Sequence, residues 1–432
     1  MSENLQGGVE GLEMKRLYLL LAGLTVFTMA FTRTVPAAGW KDGDHFVATN
    51  GGHAGSYTNW VDAATNIQAA VDASIAGDAV WVSNGVYITA TPVLTPSSLH
   101  AGYTNVSCVY LAKNITLKSV NGPNVTVIDG NYNVITARCV LISYGATLDG
   151  FTVRNGRSYA NQPYGDSYGG GILIYDGIPD GNTYGGIVTN CIVRNNYGNA
   201  GGIMVRIATG TVANCTIYSN TASNGGGGVS VDAVYKSGSK IENCTIFDNN
   251  ASTDMGGGIR CSDSYLTFRN CLVYRNTAAT FGGGVYVRST AASYIVNLDN
   301  CTIVSNYAAK IGGGLFVSNS PAANVCNSII YYNVCSLNAD VFTLQPTLTN
   351  NCMSDITALT AGLGNITNAP LFVDTNSANY RLSVNSPCLN TGTNRGWMDG
   401  AVDLDGRKRK CYGTVDMGAY ETIYDGSIFQ AH

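Results

Sequence analysis

The sequence predicts an all-β chain wound as a right-handed parallel β-helix of three-strand coils, with a short capping helix ahead of the first coils. Three observations lead there. A glycine cluster followed by an apolar-x-apolar pair recurs, as Gly169-Gly170-Gly171-Ile172, Gly201-Gly202-Ile203, Gly225 to Gly228 with Val229, Gly256-Gly257-Gly258-Ile259, Gly282-Gly283-Gly284-Val285 and Gly312-Gly313-Gly314-Leu315. Between these runs a second motif, Asn-Cys-x-apolar-x-x-Asn, starts at Asn190, Asn214, Asn243, Asn270 and Asn300, and again at Asn327 with Ser328 in place of cysteine. The spacing is the third: Ile203, Val229, Ile259, Val285 and Leu315 follow one another at 26, 30, 26 and 30 residues. That holds one coil of short strands and is too short for a propeller blade of about 40 residues. The Leu-x-x-Leu-x-Leu pattern of a leucine-rich repeat is missing, and no stretch keeps a helical period over ten residues.

Alternation assigns the faces, because successive residues of a strand point to opposite sides. In the glycine-led strand, Ile172/Ile174, Ile203/Val205, Val229/Val231, Val285/Val287 and Leu315/Val317 point inward. In the second strand the inward residue lies three before each cysteine: Val188, Val212, Ile241, Phe268, Leu298 and Val325. In the third, the cysteine and the apolar residue two later point inward. Glycines belong at a corner where a Cβ would clash or φ must be positive. Asparagines belong at turns, where they tolerate left-handed backbone and can form ladders. Cys191, Cys215, Cys244, Cys271 and Cys301 then form an interior column. Rungs about 4.8 Å apart fall within disulfide reach, but parallel side chains suit the S–S torsion poorly, which favours a ladder of reduced thiols. Cys388 and Cys411 lie outside the column and are the better disulfide candidates.

The ends follow. Residues 1–38 read as a start region and signal peptide: Lys15 and Arg16 precede an apolar run from Leu17 to Phe31, and Val35-Pro36-Ala37 suits cleavage near Ala37 or Ala38. A retained anchor is the competing reading, but the run is short of the roughly 20 residues a spanning helix needs, so no transmembrane span is expected in the mature chain. Ile67, Val71 and Ile75 at i, i+4, i+8 give a capping helix over an open solenoid end. Coils continue from about Val109 to Val153, and residues 156–168 read as an inserted loop. The solenoid with its cap is placed at residues 39–345, a different segment at 346–421 and a tail at 422–432.

That later segment carries Pro370-Leu371-Phe372-Val373-Asp374, Tyr380-Arg381-Leu382, Ser386-Pro387-Cys388-Leu389, Asp403-Leu404-Asp405-Gly406 and Val415-Asp416-Met417-Gly418-Ala419-Tyr420-Glu421. It resembles the choice-of-anchor Q module at the C-terminus of bacterial parallel β-helix proteins. The Gly-Gly-Gly-Ile and Asn-Cys-Thr-Ile repeats are similar to those proteins and to polymorphic outer-membrane proteins. The resemblance spans roughly residues 57–421. It implies a pectin-lyase-like fold and a secreted or surface-displayed location, and it brings no activity with it, since one fold hosts many functions.

Composition narrows the partners. Charged residues are 12% of the chain, net charge is −4, and no Lys/Arg-rich run is present, which argues against nucleic acid as a partner. The histidines have no metal-ligand spacing, Asp403-Leu404-Asp405-Gly406 lacks the downstream acids of a calcium loop, and the glycine corners lack a phosphate loop's Lys-Ser/Thr. No metal and no cofactor are implied. Chemistry is left to outward columns. One runs Arg194, Tyr218, Phe247, Tyr274, Val304, Tyr331, whose rings can stack on sugars or simply on one another. The glycine-led strand turns out Met204, Ser230, Arg260, Tyr286 and Phe316, beside Arg206, Asp232, Ser262 and Arg288. The expected function is an exported adhesion or glycan-contact protein, with Tyr218, Phe247, Tyr274, Tyr331 and Tyr286 as contact residues and an extracellular polysaccharide or cell-surface glycan as partner. The alternative is a polysaccharide-degrading enzyme. A lyase would draw its cation and base from Arg206, Asp232, Arg260 and Arg288, with Tyr286 as proton donor. A glycoside hydrolase, the less favoured form, needs two facing carboxylates, and no such pair repeats.

Overall fold

The computed structural model describes residues 40–422 apart from 90–91, 97–103, 159–167, 176–184, 292, 320–321, 337–339, 344–345, 355–363 and 412. The expected leader at 1–38, most of the inserted loop at 156–168 and the tail beyond Thr422 lie outside the described residues.

The chain winds as a parallel β-helix. Among the described residues, strands one coil apart pair in parallel to build a glycine-led face of nine strands, extended at one end by the antiparallel Val93–Pro96, an eleven-stranded middle face and a ten-stranded cysteine face. One coil contributes Ile203–Arg206, Gly210–Ala213 and Thr216–Tyr218, and the next contributes Val229–Asp232, Lys240–Glu242 and Thr245–Phe247. Register is kept between them: Ile203 faces Val229, Val212 faces Ile241, and Ile217 faces Ile246. The sequence reading missed a fourth set of strands. Six two-residue strands, among them Thr221–Ala222 and Asn250–Ala251, stack between the cysteine face and the glycine corner. They are too short for alternation to betray them.

The inward residues read from alternation form one continuous core, with Val188, Val212 and Leu298 at 0% exposure and Ile241, Phe268 and Val325 at 1%. Both glycine arguments hold at one corner. Gly282 has φ +63°, and a Cβ on Gly283 would sit 2.4 Å from the Tyr307 carbonyl oxygen. The two asparagines of the repeat do different work. Asn190, Asn214, Asn243, Asn270, Asn300 and Asn327 turn the corner with φ between 49° and 54°. Asn196, Asn220, Asn249, Asn276, Asn306 and Asn333 form a buried ladder, each Nδ2 donating to the next Oδ1 at 2.9–3.0 Å until Asp340 closes it.

The capping helix spans Ile67–Ala73, with the Asn66 side chain accepting from the Ala69 N–H at 2.9 Å. Ile67 and Val71 enter the core, but Ile75 is 70% exposed. The helix stops at Ser74, whose N–H donates to Ala70 and whose hydroxyl donates to Val71, so Ile75 never reaches the predicted face. At the other end, Pro346–Thr349 and Cys352–Met353 still pair with the preceding coil, so the solenoid passes the expected boundary at 345.

Residues 364–422 are irregular, with an antiparallel pair of Phe372–Asp374 and Asn379–Leu382. They lie on the outside of the cysteine face. Tyr380, Ala419 and Tyr420 pack on Leu272, Tyr274 and Val304; Leu382, Cys388 and Met417 pack on Ile329 and Cys352. Backbone bonds fix the placement, with the Gly418 N–H donating to Asn327 at 2.7 Å and Asn270 Nδ2 to Val402 at 2.8 Å. The outward columns supply apolar surface there: Thr216 and Thr245 give way to Leu272 and, beyond Thr302, to Ile329, and Tyr274 is followed by Val304. Among the described residues no helix is long and apolar enough to cross a membrane.

Candidate functional site

Parallel register places Tyr218, Phe247 and Tyr274 directly above one another. Their rings stack at 4.9 Å with planes 7° and 11° apart, so the faces inside the stack are taken by neighbouring rings. Tyr274 is 8% exposed, lies against the Tyr380 ring at 5.4 Å, and has the Arg275 guanidinium 4.8 Å from its centroid. It is therefore closed to a glycan, contrary to expectation. Val304 breaks the column. Tyr331 beyond it is partly covered, its ring set edge-on against Tyr332 at 4.7 Å and its hydroxyl donating to the Thr367 carbonyl at 3.3 Å. Tyr218 and Phe247 stay half-buried at the uncovered end, where the neighbour in register is Arg194. Arg194 makes no ion pair among the described residues.

Tyr286 corrects a second expectation. It points outward but is 3% exposed, because the glycine corner folds back over the outside of its strand and Phe316 stacks on it at 5.4 Å. A side chain so enclosed cannot donate a proton to a bound polymer. The four charged residues do not form one cluster either. Arg206 is ion-paired with Asp232 and lies 4.4 Å over the Tyr168 ring. Arg260 occupies the other outward column; burial raises the Asp254 carboxyl, and Arg260 only partly opposes that rise. Arg288 is exposed and stands two coils beyond Asp232, with Ser262 between.

What the sequence did not reveal is a cleft of about 560 Å³ where the terminal segment meets the open part of the cysteine face. Asn214, Thr216, Asn243 and Thr245 make the floor; Arg381, residues 402–406 and Tyr420 make the wall. Arg381 grips Asp405 through two bonds of 2.5 and 2.6 Å and lies 4.8 Å over the Tyr420 ring, so its fork is held rigid. Burial pushes the Tyr420 hydroxyl up to about 12, which keeps it a neutral donor. Asp403 is occupied: it accepts the N–H groups of Asp405, Arg407 and Glu421 at 2.7–3.0 Å. The Asp403-to-Gly406 stretch is thus a self-satisfied turn, and among the described residues no group of three His, Cys, Asp or Glu is placed to hold a metal. The cleft offers hydroxyls, amides and an oriented guanidinium, which suits a polyhydroxylated ligand. Only the floor has repeat register; the wall comes from a segment with no period, so no repeat pattern signals that the two will meet.

All thirteen cysteines are free thiols. The five column cysteines are 0–2% exposed, and burial raises each thiol. Cys388 is buried and Cys411 exposed, with its thiol donating to the Lys408 carbonyl, so these two do not pair with each other.

The family model of the right handed beta helix region matches residues 103–297 and 181–353. No curated protein sequence matches the chain. Among solved structures, pectate lyase Pel9A aligns with TM-score 0.49 at 15% identity, over 88% of this chain and 96% of that one. XylC in complex with xylose aligns with TM-score 0.39 at 13% identity, over 72% and 75% of the two chains. At such scores neither carries an argument about substrate or chemistry.

Proposed function

Since this chain belongs to the right-handed β-helix family, whose frame dictates no single activity, we propose its function from its own outer surface: it is an exported protein that holds an extracellular or cell-surface polysaccharide without cleaving it. The observation that carries the reading is the cleft between the cysteine face and the terminal segment, lined by Thr216, Thr245, Asn214, Asn243 and the fixed Arg381 fork. Sugar hydroxyls need many oriented donors and acceptors and little charge. Tyr218 at the open end of the ring stack extends the surface beyond the cleft. Export rests on the basic-apolar-small pattern of residues 1–38. The binding reading is preferred to a lyase because Asp232 is committed to Arg206, Tyr286 is enclosed, and Arg260 and Arg288 do not converge on them.

Glycan-array binding with the full chain tests this. A hit should weaken on Arg381→Ala and on Thr245→Ala, and less on Tyr218→Ala. A hit indifferent to all three places binding elsewhere. Unsaturated, ultraviolet-absorbing product from acidic polysaccharides, with or without calcium, would replace binding by lyase chemistry.

A further inference from the structure

The corner where the cysteine face turns into the two-residue strands carries a second hollow, of about 510 Å³, lined by Tyr132, Arg157, Asn195, Tyr197, Ser219 and Thr221. Its shape follows from the coils. Asn195 and Ser219 occupy the same turn one coil apart, with φ of 55° and 53°, and the Asn195 N–H donates to the Ser219 carbonyl at 3.1 Å. Two residues further on, Tyr197 and Thr221 face each other in register. Arg157 stands at the Tyr197 position of the preceding coil, and its guanidinium lies 5.0 Å over the Tyr197 ring. Across the turn, on the cysteine face, Arg194 lies between Arg154 and Tyr218 in register.

The charges here do not cancel. Arg154 is paired with Asp129, which also accepts the Asn131 N–H at 2.9 Å and the Asn155 amide at 3.1 Å. Asp248, one coil beyond Ser219, is held by Arg275 through two bonds of 2.7 and 2.8 Å. Arg157 is exposed and Arg194 half-buried, and neither has an ion pair among the described residues. In a chain of net charge −4, this corner keeps two unbalanced cations. The Arg381 fork in the cleft differs, because Asp405 already neutralises it. Stacking on Tyr197 steadies Arg157 while its N–H groups stay unspent, and a guanidinium fork so placed favours a pair of anionic oxygens. Around it the side chains of Tyr132, Asn195, Ser219 and Thr221 make no hydrogen bond among the described residues, so their hydroxyls and amide are open to the polar edge of a sugar.

We infer that this corner takes a carboxylate or sulfate carried on a sugar, so that the polysaccharide this protein holds is an acidic one. The inference rests on the glycan reading above and adds the charge that the cleft lacks. The two places are joined: Thr216 in the cleft floor, then Tyr218, then Ser219 and Thr221 in the corner belong to one stretch of chain. A duplex nucleic acid is the poorer fit, because its binding draws on many cations and this corner supplies two.

The test measures binding of the full chain to two matched pairs, dextran sulfate against dextran and hyaluronan against carboxyl-reduced hyaluronan. The acidic member should bind about tenfold or more tightly than its neutral partner, as one charge-assisted bond allows, and the gap should shrink as salt rises. Preference within one pair alone supports the site and tells sulfate from carboxylate. Arg157→Ala and Arg194→Ala should each remove most of the preference, and Arg157→Lys part of it, because the charge stays but the fork is lost. Arg288→Ala, an exposed arginine elsewhere, should leave it unchanged. Failure of both acidic polymers to outbind their neutral partners overturns the inference, as does an equal loss on Arg288→Ala or equal competition by duplex DNA. The cleft is judged separately. Neutral glycans that bind with sensitivity to Thr245→Ala but without acid preference keep the cleft and sink the corner. Acid preference that needs Arg157 but ignores Thr245→Ala and Arg381→Ala does the reverse.

Discussion

In the coils the buried polarity that repeats is neutral, while charges such as Arg138, Asp299 and Asp340 are buried singly. In residues 364–422 the buried polarity is charged and particular. The ladder asparagines are 0–3% exposed, and each amide both donates and accepts, so the next coil can copy the arrangement indefinitely. The terminal segment instead buries Arg409 at 0% exposure against Glu421 at 3.1 Å, with Asp403 and Asp416 close by and the Arg409 Nη2 donating to the Gly418 carbonyl. A charge needs one partner of opposite sign and cannot be repeated coil after coil. Stacked side chains of a solenoid favour groups that satisfy their own kind; a cover built once can use groups that do not.

The largest effects should separate the two regions. Asn276 donates to Asn306, Ile246 and Tyr274 and accepts both the N–H and the Nδ2 of Asn249. Asn276→Leu strands several buried groups at about 1–3 kcal/mol each. Urea unfolding should therefore show a loss of about 4 kcal/mol or more, or no folded protein. Asn243, at the outer turn with φ 54°, donates to the Asn214 amide at 3.3 Å and accepts from Asn270 at 3.2 Å, both longer than the ladder bonds, and Asn243→Ala should cost only about 1–2 kcal/mol. Equal losses at the two sites would mean that the ladder is not the stabilising element.

Removing one member of the terminal pair comes next. Arg409→Met leaves the buried Asp403, Asp416 and Glu421 carboxyls without their shared cation and should cost about 3–5 kcal/mol, read as loss of the terminal segment's protection from protease. The double change Arg409→Met/Glu421→Gln should recover part of it. Additive losses would show that Arg409 acts through packing alone.

The same pair gives a pH dependence. Burial pushes the Glu421 carboxyl up to about 8, outweighing the attraction of Arg409. Its folded value lies above its unfolded one, so its contribution is fully present below about pH 4.5 and is lost as pH rises toward about 8. Glu421→Gln should match the unsubstituted protein at the acid end and exceed it increasingly toward pH 8. A gap of about 1–2 kcal/mol is expected in thermal melts, given a limit of about 1.4 per pH unit. A gap that narrows with rising pH would reverse the sign.

The contrast also explains what could be read ahead of the structure. Alternation placed Ile203, Val212 and Cys215 inward because every coil repeats the test, and six copies average out chance. It placed Tyr274 and Tyr286 outward, and their strands do point them outward, but both are covered: one by Tyr380 and Tyr420, the other by its own glycine corner and Phe316. Outward is a local property of a strand, whereas accessible depends on chain far away in sequence. The cleft fails the same way. Thr216 and Thr245 were legible as outward positions, but nothing in residues 381–420 announces which coil they will lie against. Ile75 was misplaced for a local reason, because Ser74 ends the helix before the period completes.

The smallest effect belongs to the interior column, where the chain already carries the substitution. Ser328 takes the cysteine place in the sixth motif, its hydroxyl donating to the Cys326 carbonyl at 3.1 Å and accepting the Cys301 N–H at 3.2 Å. Cys244 makes the equivalent bond, its thiol donating to Glu242 at 3.2 Å. A serine hydroxyl at 244 inherits that acceptor, so the cost of placing oxygen in an apolar column is largely offset. Cys244→Ser should lose no more than about 1 kcal/mol. Cys244→Phe has no such relief. Cys215 and Cys271 stack on either side of a side chain that is 0% exposed, and overpacking should cost about 1–3 kcal/mol or more. Thiol labelling gives an independent reading: Cys191, Cys215, Cys244, Cys271 and Cys301 should resist reagent in the folded chain and react on unfolding without reductant. If they react only after reductant is added, the column is cross-linked and the ladder of reduced thiols is wrong.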